Sequence, residues 1–232
     1  AGDDPLGAAQ AELQAISRIT ETSPLTSLSD MMNDVMRIMD ERRKGEGNVL
    51  PTPFPCINDY IGGWEEGSMI ILAARPGIGK TTFAIQSAIR AASSGHKVLF
   101  HSLEMPKEQI CQKILAFLAD INPRIVERGD INSHRRISTY IEKTSELPIH
   151  IDDNASVTVE QIQAKLQKIQ AKERMKLIII DHAQLIKPSN LGRKNASRAE
   201  ELSHITRTLK IMAKVCKIPV ILLCQLNRDI EK

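Results

Sequence analysis

Residues 69–82 read Met69-Ile-Ile-Leu-Ala-Ala-Arg-Pro-Gly-Ile-Gly-Lys-Thr-Thr82, and this stretch decides the fold. The apolar run Met69–Ala73 has the look of a buried strand, and a helical pattern begins near Lys80. Strand, glycine-containing loop, Gly-Lys-Thr and helix form the P-loop arrangement. Gly77 and Gly79 let the backbone adopt positive φ, so that several N–H groups point inward at one phosphate. The following helix adds the partial positive charge and unpaired donors of its N-terminus. Lys80 is placed to reach the β- and γ-phosphates, and Thr81 to put its hydroxyl on a Mg²⁺ ion. Ala74 stands where a first glycine is usual, which a small residue allows if φ there is negative. The plain alternative, a chance Gly-Lys-Thr in a turn, does not explain the strand before it and the helix after it.

Outward from this stretch the pattern alternates. Strands are expected at 97–102, 148–152, 176–181 and 219–225, and helices at 79–94, 107–119, 134–145, 157–173 and up to Cys216. Continuous apolar strands separated by helices predict a parallel sheet covered on both faces, and right-handed crossovers make it doubly wound. Ligands of such sheets bind beyond the carboxyl ends of the strands. Residues 48–67, with three prolines and three glycines, lead into the first strand. Ahead of them, Ser27 opens a helix whose positions Leu28, Met32, Val35 and Met39 have helical spacing, with Asp30 as capping partner. Core packing is the reading preferred for this methionine stripe. Its basic end, Arg42 to Lys44, suits a helix C-terminus. A shorter pattern over 8–19 needs something to dock on. Residues 1–26 thus read as a helical linker and 27–232 as one α/β domain.

Composition narrows the function classes. Hydrophobic residues make up 42% and charged residues 25% of the 232, ordinary for a globular protein, and aromatics only 3%, too few for a ring-stacking surface. A net charge of +3 permits a nucleic-acid partner without demanding one. The cysteines, Cys56, Cys111, Cys216 and Cys224, form no Cys-x-x-Cys pair and suggest buried thiols in a reduced, cytoplasmic setting. No structural zinc, membrane span or signal peptide is expected, and the missing initiator Met suggests a piece of a longer chain.

Strand ends supply the candidate chemistry. Glu104, just past the second strand, is placed either to polarise a water for attack on a γ-phosphate or simply to open the next helix. Leu177-Ile-Ile-Ile-Asp181, an apolar strand ending in Asp, is the expected Walker B arrangement serving Mg²⁺, against a carboxylate that merely caps a turn. Gln225 is placed to sense a γ-phosphate, Arg228 to meet phosphate or a neighbouring subunit, and each is also an ordinary polar residue at a strand exit. The basic loop over 187–198 reads equally as a nucleic-acid contact or a solvated surface.

Four blocks stand in order: residues 73–82, Ser102-Leu-Glu-Met-Pro106, Ile178-Ile-Ile-Asp-His-Ala-Gln-Leu185 and Pro219-Val-Ile-Leu-Leu-Cys-Gln-Leu-Asn-Arg228. Together they resemble the ATPase domain of bacterial DnaB-type replicative DNA helicases. The resemblance spans about 25–232 and extends to the lead-in at 55–67. It implies a RecA-like P-loop NTPase that binds ATP and Mg²⁺ through Arg75, Pro76, Gly77, Ile78, Gly79, Lys80, Thr81 and Thr82. It also implies Glu104 as catalytic base, Asp181 with Thr81 at the metal, and Gln225 with Lys80 at the γ-phosphate. The partners it implies are single-stranded and forked DNA, five further copies in a ring-shaped homo-hexamer, a primase and a helicase loader. A recombination ATPase or a non-catalytic nucleotide-binding assembly module are the rival readings. Two departures stand out. His182-Ala183 replaces the family's usual Tyr-Leu, and the family continues past Lys232 with an arginine that reaches the neighbour's ATP. Residues 1–232 alone are therefore expected to bind ATP and hydrolyse it poorly.

Overall fold

The computed structural model describes residues 25–44, 49–129, 134–187 and 197–226, with the side chains of 134–136 left aside. The chain divides into two compact units, Ala1–Asn48 and Val49–Lys232. The expected docking helix over 8–19, Arg228 and most of the basic loop lie outside the described residues.

The first unit contributes α1, Leu28–Arg43. Ser27 caps it as expected: its Oγ accepts from the Asp30 amide at 3.2 Å and donates to the Asp30 carboxylate at 2.6 Å. Arg42 and Arg43 occupy the last turn, favourable for the carbonyl end of the helix dipole. The core role expected of the methionine stripe is not met. No residue of α1 is buried, and Leu28, Met36 and Met39 are 79%, 62% and 60% exposed. Helical spacing shows that apolar residues share a face; it does not supply the surface that would cover them.

The second unit begins with a small antiparallel ribbon, β1 (Val49–Leu50) and β2 (Trp64–Glu65), around the short helix α2 (Pro55–Ile61). Trp64 is 2% exposed, and its ring meets Phe83 edge-on at 6.3 Å while Phe54 stacks on Phe83 at 4.9 Å. These aromatics fasten the ribbon to the next element but one. The main elements follow: β3 (Met69–Ala74), α3 (Lys80–Ser93), β4 (Val98–Ser102), α4 (Lys107–Leu118), α5 (Pro123–Arg128), α6 (His134–Ser145), β5 (Ile149–Asp152), α7 (Val159–Lys172), β6 (Leu177–Asp181), a 3₁₀ turn Ala183–Leu185, α8 (Arg198–Cys216) and β7 (Val220–Gln225).

The five long strands form one sheet in the order β3-β7-β6-β4-β5, every pair parallel. Both faces are covered, as the continuous apolar strands require. Along β6 the side chains alternate: Leu177 and Ile179 pack with Ala84, Ala88 and Ile110 on one face, while Ile178 and Ile180 pack with Ile162, Leu166, Ile205 and Leu209 on the other. Each fully buried Ile or Leu contributes about 1.5–3 kcal/mol by leaving water. Register decides what shares the carboxyl edge. Ala74 pairs with Gln225, Ser102 with Asp181, and His101 with Asp152, so every candidate strand end reaches one rim.

Among the described residues the four cysteines are free, but the expectation of buried thiols is corrected. Cys56 and Cys111 are exposed, and Cys216 and Cys224 half-buried. Each lies in a helix or strand at a position turned partly out of the core. No helix among the described residues is long and apolar enough to cross a membrane.

Candidate functional site

The loop between β3 and α3 builds the first half of the site. Gly77 and Gly79 have φ of 78° and 102°, and nothing lies within 4 Å of a Cβ placed on Gly77. Gly79 is the N-cap of α3 and offers no side chain to satisfy the first turn. The amides of Lys80, Thr81 and Thr82 have no intrahelical carbonyl within reach, so they point from the helix end as open donors. Arg75, Pro76 and Ile78 lie exposed along the same loop. Ala74 ends β3 without a positive φ, so the side chain in place of a first glycine costs nothing. Its carbonyl accepts from Lys80 Nζ at 3.3 Å and from the Leu226 amide at 3.1 Å, which brings the lysine and the exit of β7 to one atom.

The second half comes from β6. Thr81 Oγ1 donates to Asp181 Oδ2 at 2.7 Å, joining two residues 100 positions apart in the chain. Asp181 is 1% exposed and its Oδ1 is buried with no hydrogen bond. Burial pushes its carboxyl pKa up, against the Thr81 hydroxyl, His182 and Lys80, which pull it down; Glu104 adds to the rise. Two hard oxygen donors side by side, with one carboxylate oxygen free of hydrogen bonds, fit a divalent cation.

Glu104 is not at a helix start. It sits in the turn Ser102–Met105, two residues before Pro106, the N-cap of α4. Ser102 Oγ accepts from the Met105 amide at 3.2 Å and donates to the Met105 carbonyl at 2.6 Å, which shapes that turn. Leu103 N donates to Asp181 O at 2.7 Å and ties the turn to β6. The Glu104 side chain is 55% exposed, and its Oε2 lies 3.1 Å from His182 Nδ1, which is itself 3.8 Å from Asp181 Oδ1. Ligating atoms of Glu104, Asp181 and His182 all fall within 4.8 Å of one another.

Gln225 enters the site through its backbone. Its N–H donates to Gln184 Oε1 at 3.1 Å and its carbonyl accepts from Gln184 Nε2 at 2.9 Å. Arg198 in turn donates to the Gln184 carbonyl at 2.7 Å. The structure thus brings together Lys80, Thr81, Asp181 and Glu104, with Gln225 alongside on the next strand end. His182 and Gln184 had no assigned role in the sequence. Both follow β6, yet only the three-dimensional arrangement aims one at Glu104 and the other at Gln225.

A second polar cluster occupies the other end of the rim. Asp152 Oδ2 lies 2.7 Å from His101 Nδ1 and 2.6 Å from Lys165 Nζ. Burial works against the Asp152 carboxylate, but Lys165 and His101 outweigh it and hold its pKa below the usual range. Burial lowers the His101 pKa despite Asp152. The three residues line a cavity of about 20 Å³, room for one water.

With this geometry in place, the chain can be set beside known proteins. Residues 49–232 match the family model described as the DnaB-like helicase C terminal domain. The chain is 31% identical over 235 residues to the replicative DNA helicase DnaB of Leifsonia xyli subsp. xyli (strain CTCB07), covering 99% of this chain and 50% of that protein. It is 30% identical over 235 residues to the replicative DNA helicase DnaC of Bacillus subtilis (strain 168), covering 99% of this chain and 51% of that one. The chain spans about half the length of these curated relatives. Among solved structures, one described as an ATPase domain superposes with a TM-score of 0.78 at 29% identity, over 89% of this chain and 74% of that one. A DnaB-like replicative helicase, described with its primase interactions, gives 0.76 at 28% identity over 98% of this chain and 55% of that one.

Proposed function

The chain belongs to the DnaB-like helicase C-terminal domain family, and on that premise we propose that residues 49–232 carry the ATP-hydrolysing motor of a replicative DNA helicase. The motor works in a homo-hexameric ring, translocates on single-stranded DNA and unwinds forks, with a primase and a loader as its replication partners. One observation carries the reading: the 2.7 Å contact from Thr81 to Asp181, whose second carboxylate oxygen is buried without a hydrogen bond. A P-loop assembled with its Walker B carboxylate has few uses other than holding a nucleoside triphosphate.

Thr81 and Asp181 would hold Mg²⁺, which when bound neutralises charge on the phosphates. The chain's own groups do the rest. The open amides of Lys80 to Thr82 and the P-loop backbone bind phosphate oxygens. Lys80 leaves the Ala74 carbonyl to stabilise the γ-phosphate, and the Gln225 side chain donates to the same group. Glu104 takes the proton of the attacking water as its oxygen bonds to phosphorus and the bond to the ADP oxygen breaks. ADP and phosphate leave. Positioning and charge stabilisation, rather than a covalent intermediate, lower the barrier.

The test is ATP turnover with and without single-stranded DNA in the natural full-length protein, using Lys80→Ala as the blank. DNA-stimulated, Lys80-dependent turnover supports the motor. Nucleotide binding without turnover would replace it with a non-catalytic assembly module.

A further inference from the structure

His182 is a buried polar residue that none of the steps above uses. Its side chain is 8% exposed, and its Nδ1 is buried without an aligned hydrogen bond although two carboxylates lie within reach. Its main chain is fixed, because Asp181 O accepts from Leu103 and His182 O accepts from Leu185 at 3.1 Å. Glu104 is the opposite case. Its backbone turn is pinned by Ser102, but its carboxylate stands 55% exposed on a long, rotatable side chain. A general base that samples many rotamers is seldom in position, and a rigid neighbour with one donor corrects this.

We propose that His182 is a positioning residue for Glu104. Nδ1–H donates to Oε2 and holds the carboxylate on the Asp181 side of the rim, where the attacking water must sit. The neutral ring suffices, since its Nδ1–H tautomer already carries the donor. The 3.1 Å approach places the two atoms within hydrogen-bond reach, so a small turn of the Glu104 side chain aligns them. The inference rests on the reading of Glu104 as the base.

The experiment measures kcat, KM for ATP and the affinity for a non-hydrolysable ATP analogue in the natural full-length protein with single-stranded DNA. His182→Ala, His182→Phe and His182→Asn are compared, with Lys80→Ala and Glu104→Gln as references. Loss of an orienting partner should lower kcat about 10–100-fold in the Ala and Phe variants, with KM and analogue affinity within about twofold. Asn, whose amide N–H takes the place of Nδ1–H, should recover most of that loss. If Ala and Phe turn over like the parent while both references are silent, the inference falls and the motor reading stands. Parallel loss of analogue affinity, or no rescue by Asn, would make His182 a structural residue and also overturn it. Full turnover by Glu104→Gln would remove the base itself, and the inference with it.

Discussion

At the end of β6, Asp181 Oδ1 has His182 no nearer than 3.8 Å; two strands away, at the end of β5, Asp152 Oδ2 has His101 and Lys165 within 2.7 Å. Both aspartates end apolar parallel strands on one rim, and burial raises the cost of charge on each. At Asp152 the cation and imidazole overcome that cost, and its pKa falls. At Asp181 the Thr81 hydroxyl, His182 and Lys80 do not, and its pKa rises. On the proposed reading, a charge left under-compensated near a glycine loop is where a cation and phosphates would bind. A charge compensated by its own chain is part of the fold. Proximity of polar residues to a sheet edge does not separate these cases; the balance of partners does.

The sharpest challenge to this contrast acts on the open end. Lys80→Ala removes a charge that makes a long 3.3 Å contact with the Ala74 carbonyl and also pulls the Asp181 pKa down through its field. It should lower turnover about 10²–10³-fold, the range for losing one transition-state donor, while the melting temperature stays put. Calorimetry that shows unfolding several degrees lower would mean the open end is structural after all. Gln184→Ala comes next, because Gln184 makes two paired bonds to the Gln225 backbone within the open end. Leaving those groups unpaired should cost about 1–3 kcal/mol, a fall of roughly 2–12 °C at about 2–4 °C per kcal/mol for a domain of this size. A normal melting temperature with normal turnover would strip Gln184 of this role.

The smallest effect belongs to the closed end and is read by pH. His101 has a folded pKa below its ordinary value, so the unfolded chain takes the proton first. Stability should therefore decline as pH falls below about 6.5, and Asp152, also depressed, adds to the decline near and below about 3.9. Each tenfold difference in proton affinity between the folded and unfolded chain corresponds to about 1.4 kcal/mol. Melting curves from pH 7 to pH 5 should show the slope in the parent and a flatter one in His101→Gln; equal slopes would mean another group titrates there.

Much of this was legible in the sequence. The strands expected at 97–102, 148–152, 176–181 and 219–225 appear within a residue of those bounds, because long apolar runs leave few alternatives. The P-loop and Asp181 were legible because their chemistry needs fixed spacing. The ribbon of Val49–Leu50 with Trp64–Glu65 was not, since it depends on Trp64 and Phe54 meeting Phe83. Ile149-His-Ile-Asp152 and Ile178-Ile-Ile-Asp181 look alike as strings, and what separates them is which partner reaches each carboxylate: Lys165 from the following helix, and Thr81 from 100 positions back in the chain. His182 and Gln184 stand inside a recognised block, but no periodicity or spacing says where their side chains point. The methionine stripe of α1 had the right period, yet none of it is buried.

The two aspartates are built on opposite terms, and one substitution made twice tests this. Melting temperatures of Asp181→Asn and Asp152→Asn are measured without nucleotide at pH 7. A carboxylate whose folded pKa is raised costs stability above its unfolded pKa, so its neutral amide should leave the protein as stable or more stable. A carboxylate whose folded pKa is depressed stabilises the fold at that pH, and removing it leaves the His101 ring and the half-exposed Lys165 ammonium without their carboxylate. The expected result is a rise or no change for Asp181→Asn and a clear fall for Asp152→Asn. Equal falls in both would contradict it.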